Sequence, residues 1–178
     1  FEALELVSTA WLGPAYQVTS QLNVVNPGGV SQSPHRDYHL GFMTDEQAER
    51  YPAHVHVLSP MLTLQGAVAH VDMPIESGPT MLLPHSHKYG PGYQAWRRTE
   101  VIELFAERQV QTELRAGDAA FFNPAVLHGV GTNHTAGEHG TKRMGSLLQI
   151  SSAMGIALEA FDRDRMCRAV IPALQVRH

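Results

Sequence analysis

The apolar residues of this chain come in short runs divided by turn-forming residues, and that punctuation constrains the fold more than any other feature. Tyr16 to Val25 reads as a strand closed by Asn26-Pro27-Gly28-Gly29. Val55 to Val71 is a longer apolar stretch that Ser59-Pro60 divides into two strand pieces. Met73 to Pro79 is a loop, and Thr80 to Leu83 a short strand ahead of the polar loop Pro84-His85-Ser86-His87-Lys88. Val110 to Leu114, Ala119 to Asn123 and Leu147 to Ile150 are further strands, with a tight Gly117-Asp118 turn between the first two. Helical spacing is rarer. It occurs over Phe1 to Leu12, over Tyr93 to Arg108 (apolar at Trp96, Val101, Leu104 and Phe105) and over Glu159 to Ala169, with one or two turns at Asp45 to Tyr51. Many short strands and few helices predict a mainly β sandwich or barrel of the jelly-roll kind. No repeat, low-complexity tract or linker divides residues 1–178, so one domain is expected.

Composition removes several function classes. Thirteen basic against seventeen acidic residues give a net charge of −4, which offers no electrostatic footprint for nucleic acid. No apolar run approaches the ~20 residues needed to cross a bilayer, so no membrane partner is expected. Glu2 and Glu5 interrupt the first apolar stretch and no basic residue precedes it, unlike a secretory signal. The single cysteine, Cys167, fits a reducing compartment, and a cytoplasmic location is expected. Asn133-His134-Thr135 matches a glycosylation acceptor but reads as chance in that setting.

The unusual feature is eleven histidines, and the informative one lies in Ser33-Pro34-His35-Arg36-Asp37-Tyr38-His39. Side chains two apart on an extended chain leave the same face, so His35 and Asp37 can grip one metal ion while Arg36 points away. A third ligand must come from far along the chain, and His128 in Phe121-Phe122-Asn123-Pro124-Ala125-Val126-Leu127-His128-Gly129 is the candidate. Two histidines and a carboxylate on one face make the triad of non-haem Fe(II) oxygenases, with positions left open for co-substrate and O₂.

The triplet alone is weak evidence. With eleven His and six Asp in 178 residues, about 0.4 such triplets arise by chance, and His70-Val71-Asp72 is a second one. Pro34 and the turn residues before it place His35 near a strand mouth, whereas His70 ends an apolar run, so local context favours His35 and Asp37. His54-x-His56 and His85-x-His87 could each pair two imidazoles, but no Cys or acidic partner stands at zinc-site spacing beside them. Arg143, entering the apolar run Met144 to Ile150, needs either a bound carboxylate or a salt bridge at the rim. Gln65 interrupts an apolar stretch, so it faces solvent or lines a cavity; lining one, it joins Arg143 as a cofactor-binding candidate. Nucleophile elbows, P-loops and dinucleotide fingerprints are absent from the sequence.

Three blocks together resemble the phytanoyl-CoA dioxygenase family of Fe(II)/2-oxoglutarate oxygenases. They are Pro34-His35-Arg36-Asp37-Tyr38-His39, then Glu76-Ser77-Gly78-Pro79-Thr80-Met81-Leu82-Leu83-Pro84-His85-Ser86-His87, then Gly117-Asp118 through His128-Gly129 to Asn133 and Arg143. The resemblance covers about Tyr16 to Ser152. It implies a double-stranded β-helix of cupin-like type with a few flanking helices. It also implies iron on His35, Asp37 and His128, with Arg143 pairing the distal carboxylate of 2-oxoglutarate. Turnover would consume O₂, release succinate and CO₂, and oxidise a small-molecule substrate such as a secondary metabolite or an acyl thioester. Asp37 favours hydroxylation over halogenation, since related halogenases lack that carboxylate. Departures are also visible. The His128 to Arg143 interval is long, with Gly137 to Thr141 reading as an inserted loop, and Val130 stands where many members carry Ser. His85 replaces the usual Gly of its turn, and the family's longer N-terminal region is missing, which leaves an open pocket as the expectation. Two rivals remain at this stage: a cupin-type metalloenzyme that does not use 2-oxoglutarate, and a non-catalytic binding domain on the same fold.

Overall fold

The computed structural model describes residues 2–38, 44–135, 140–157 and 160–175. Phe1, His39, Gly137 and Glu159, which the sequence reading singled out, fall outside these described residues. In chain order the structure opens with α1 (Glu2–Leu12) and β1 (Tyr16–Val25), then runs through the His35 segment to α2 (Asp45–Ala48). A 3₁₀ turn (Ala53–Val57) leads into α3 (Leu58–Leu62) and β2 (Thr63–Ala69). After β3 (Thr80–Leu82) come α4 (Gly92–Ala95) and α5 (Thr99–Arg108). Strands β4 (Val110–Gln111), β5 (Ala119–Phe122), β6 (His128–Val130) and β7 (Arg143–Ser152) follow, and α6 (Arg163–Gln175) is the last element.

The strands form two antiparallel sheets, ordered β1-β7-β2-β5 and β4-β3-β6. From β2 onward the chain crosses between sheets at β2→β3, β4→β5, β5→β6 and β6→β7, the double-stranded β-helix that the sequence predicts. Alternation sorts the large sheet's side chains into two sets. Leu64, Leu148 and Ile150 are buried on its outer face, where Leu4, Val7 and Leu12 of α1 pack against them. The opposite face of β2 and β7 carries Gln65, Ala67, Arg143, Gly145 and Leu147, turned toward the small sheet. A second cluster, Leu83, Phe105 and Leu127, joins the small sheet to α5 with Met81, Trp96 and Val101 around it. Among the described residues no helix is long and apolar enough to cross a membrane.

Several elements differ from their sequence reading. Val55 to Leu62 is helical rather than a strand piece, because Pro60 sits in the first turn of α3, where a missing N–H costs nothing. Tyr93 to Arg108 divides into α4 and α5 where Arg98 turns extended, and Leu104 is exposed. The strand read at Leu147 to Ile150 extends to Arg143–Ser152, ten residues paired with β1 throughout. The strand read at Val110 to Leu114 shortens to β4, β6 adds a strand that was not predicted, and the last helix begins at Arg163. His35 lies in a single bridge rather than in a strand.

Gly78 is a position where the backbone requires glycine. It adopts φ 70°, and an added Cβ would lie 2.4 Å from the carbonyl oxygens of Gly131 and Thr132. Gly78→Ala is expected to destabilise the protein by at least about 2 kcal/mol, the left-handed penalty plus backbone displacement. The urea unfolding midpoint measures it, and an unchanged midpoint would contradict the geometry.

Candidate metal centre

The centre starts from a backbone pairing. His35 and His128 face each other across an antiparallel bridge, each N–H donating to the other's carbonyl at 2.9 and 3.0 Å. Directly opposed residues of such a pair project to the same side, and the two imidazole centroids lie 4.6 Å apart. Each ring is locked through its far nitrogen. His35 Nδ1 donates to Ser33 O at 2.9 Å and His128 Nδ1 to Val126 O at 2.8 Å. A carbonyl accepts only, so both rings carry a proton on Nδ1 and turn Nε2 inward.

Asp37 completes the group. Its Oδ1 lies 3.5 Å from His35 Nε2 and its Oδ2 3.3 Å from His128 Nε2. One ligand atom from each of the three residues falls within 4.8 Å of the others. Among the described residues it is the one such group of three or more His, Cys, Asp or Glu. Asp37 is held at its backbone as well, since its N–H donates to Pro124 O at 3.3 Å and Tyr93 Oη donates to its carbonyl at 3.1 Å. Arg36 points away, as the alternation predicts. Its Nη2 donates to Ser86 O and to Tyr89 O, which staples the His35 segment to the β3–α4 connection. Gly92 makes room for that staple: an added Cβ would fall 1.9 Å from the Arg36 Cζ.

The large sheet reaches into the same space. Gln65 donates its Nε2–H to Asp37 Oδ2, and Phe122, directly opposite Gln65 on β5, sets its ring edge-on to His128 at 4.9 Å. Trp96 meets the His35 ring edge-on at 6.5 Å. Sequence reasoning gave Trp96 as an apolar residue of a helical stretch and gave Phe122 and Tyr93 no role, since these are ordinary aromatic residues until the register is known. Tyr38 packs instead against His56 and Tyr93.

Arg143 is buried at the first position of β7. It donates to Ser77 O at 3.4 Å through Nη1, while its buried Nη2 has no hydrogen-bond partner. Desolvation lowers its pKa to about 10, so it remains a cation at neutral pH. Asn133, fully buried, holds the entry to β7 by donating to Thr141 O and Val25 O, the latter residue opposite Arg143 in register. That burial also removes Asn133 as a glycosylation acceptor. Val130 and Ala67 line the cavity that Arg143 enters, and each lies two residues along its strand from His128 or Gln65.

Among the described residues the competing histidines form no second group of three possible metal ligands. His70 shares a hydrogen bond with Ser146 Oγ, and Asp72 accepts from Ala116 N–H. His56 is buried among aromatic rings, and His85 takes a left-handed backbone at φ 63°, the conformation that suits the glycine it replaces.

Residues 2–144 match the family model described as phytanoyl-CoA dioxygenase (PhyH). The chain belongs to the phytanoyl-CoA dioxygenase family. Dioxygenase ALT11 of Alternaria alternata is 33% identical over 130 residues, which are 71% of this chain and 36% of that protein. The chain thus spans about a third of the curated relative it matches. AviO1 from Streptomyces viridochromogenes Tue57 superposes with a TM-score of 0.60 at 16% identity, over 89% of this chain and 61% of AviO1. The epimerase SnoN, solved with Fe³⁺, alpha ketoglutarate and nogalamycin RO, gives a TM-score of 0.58 at 21% identity, over 88% and 57%. These structural likenesses show a shared fold.

The orphaned Arg143 has a measurable consequence for this family member. A cation whose pKa is lowered by folding costs stability at every pH below about 10, and the cost fades as the pH rises through that value. Arg143→Met is therefore expected to raise the denaturation midpoint of the protein at pH 7 when no ligand is added. A lower midpoint would mean that Arg143 is internally compensated.

Proposed function

We propose that the chain is a non-haem Fe(II) oxygenase that uses 2-oxoglutarate and O₂ to hydroxylate a small organic molecule. The observation that carries this reading is the donor set: two Nε2 atoms and one carboxylate oxygen within 4.8 Å, reached from one side. Imidazole and carboxylate suit Fe(II), and three protein ligands leave room for a chelating co-substrate. The Nη2 of Arg143, buried and unbonded, supports the second half of the reading. It enters a cavity that Val130 and Ala67 also line, on the strands that carry His128 and Gln65, and this supports a dicarboxylate with its keto-acid end on the metal.

In this reading His35 and His128 turn Nε2 toward the ion while Nδ1 is committed to a backbone carbonyl. Asp37 supplies the one negative charge of the triad. Arg143 fixes the far end of the keto acid, and Phe122 and Trp96 keep water from the ligand rings. When bound together, the metal and 2-oxoglutarate supply oxidative decarboxylation to succinate and CO₂, with one oxygen atom of O₂ passing to the substrate as a hydroxyl. The small organic substrate is the part of the reading that the family alone supports.

Anaerobic addition of Fe(II) and 2-oxoglutarate is expected to give a weak visible charge-transfer band that needs both components. Asp37→Ala should lose the band and iron-dependent 2-oxoglutarate turnover, and full turnover in that variant would reject the assignment. Arg143→Met should keep metal binding and weaken 2-oxoglutarate by about 2–5 kcal/mol, as for one partner removed from a buried charge pair. Metal binding without the band in the unaltered chain would favour metal chemistry that needs no keto acid.

A further inference from the structure

We infer that Gln65 is the positioning residue of the metal centre: its side-chain amide holds one oxygen of Asp37, so that the carboxylate meets the ion through a single oxygen. The inference rests on the metal-centre reading above and concerns how that centre is kept in shape.

Three observations carry it. Gln65 stands in the middle of β2, paired with Phe122 on one side and Gln149 on the other, so its backbone is fixed by both neighbouring strands. Its Nε2 donates to Asp37 Oδ2. The carboxylate accepts only, so the amide nitrogen must face it; the flipped amide would set two acceptors against each other. The other end of the amide is buried: Gln65 Oε1 has no hydrogen-bond partner. An amide that leaves its carbonyl dry in order to reach Asp37 takes its orientation from that contact and not from general solvation. Leu64, Gly66, Ala67 and Val68 surround it in sequence, and a residue serving only to fill the sheet there would be apolar.

The physical role follows from the carboxylate's freedom. Asp37 is attached to an irregular segment, and rotation about Cβ–Cγ would exchange Oδ1, which faces His35 Nε2, with Oδ2, which faces His128 Nε2. A donor anchored in a three-strand ladder stops that rotation before any ion arrives. With Oδ2 engaged, one lone pair fewer is available for two-oxygen chelation, which leaves coordination positions open. The same cross-strand pair supports a second ligand, since Phe122 opposite Gln65 packs on His128.

The test compares Gln65→Met and Gln65→Leu, which remove the donor at similar volume, with Asp37→Ala. Anaerobic calorimetry gives Kd for Fe(II) without 2-oxoglutarate, then for 2-oxoglutarate at saturating metal, alongside the unfolding midpoint. The expected result is a 10–100-fold weaker Fe(II) Kd in both Gln65 variants. Their midpoint and 2-oxoglutarate affinity should stay within about twofold of the unaltered chain, a split that general structural damage would not produce. Unaltered Fe(II) affinity overturns the inference. So does a loss confined to 2-oxoglutarate, which would make Gln65 a co-substrate contact. If neither variant folds, the Gln65 side-chain amide signals of the unaltered protein should be protected from exchange and shift on adding Zn(II); unprotected, unshifted signals would also overturn it. Asp37→Ala separates the two levels. Metal binding that survives Asp37→Ala rejects the metal-centre reading, whereas a loss seen there and absent in both Gln65 variants rejects only the role of Gln65.

Discussion

The reciprocal hydrogen bonds between His35 and His128 are the contact on which the rest of the centre depends. They are main-chain bonds between residues 93 apart in sequence, since 128 − 35 = 93, and they settle three things at once. They tie an otherwise irregular segment to the small sheet. They put two imidazoles on one side of a bridge at ligating separation. They also bring Asp37 into reach, because two residues beyond His35 the chain still faces the same way. No side-chain interaction could do this as firmly, since a lone pair of long-range imidazoles would have to be immobilised rotamer by rotamer.

The large sheet then supplies what the bridge cannot. Its strict alternation gives the outer face to Leu64, Leu148 and Ile150 against α1, and the inner face to Gln65, Phe122 and Arg143. A register slip of one residue would exchange these sets, burying Gln65 and Arg143 against the α1 leucines and turning Leu64 toward Asp37. Core stability and site geometry are therefore not separate properties here. The ten-residue pairing of β1 with β7 holds the register and so holds the site.

How much of this was legible beforehand follows from whether the signal is local. The strand Tyr16–Val25 carries its own alternation and its own Asn-Pro-Gly-Gly stop, and it reads correctly to the residue. The His35, Asp37 and His128 group was legible because i, i+2 spacing on extended chain is a local fact and the distal histidine came with a family block. Val55 to Leu62 was misread because an apolar run with Pro60 can be a broken strand or a proline-initiated helix, and only tertiary packing decides. β6 was invisible: three residues, His128 to Val130, carry no periodicity, and their strand character comes from partners Thr80 to Leu82. Gln65 was legible only as an anomaly in an apolar run; that its donor meets Asp37 depends on how two sheets face each other. Phe122 and Tyr93 carried no signal at all, since an aromatic residue beside a site looks the same in sequence as one in a core.

Where the polar groups are left unsatisfied is itself informative. Buried donors and acceptors are normally paired, and exceptions call for a physical reason. Two of this chain's exceptions, Arg143 Nη2 and Gln65 Oε1, belong to inner-face residues of the large sheet, and the inner-face neighbours of each lead toward the metal group. They are of opposite kinds. The guanidinium is a donor that meets no anion among the described residues, so its cost is recovered when a carboxylate arrives. The amide oxygen is an acceptor stranded because its nitrogen is committed to Asp37, a cost borne permanently in exchange for a fixed carboxylate. A fold selected for stability alone would place aliphatic residues at both positions, as it does at Leu64 and Leu148 on the opposite face. Among the polar residues of the inner face, Gln65 and Arg143 stand where a centre of this donor set needs a held ligand and a bound anion.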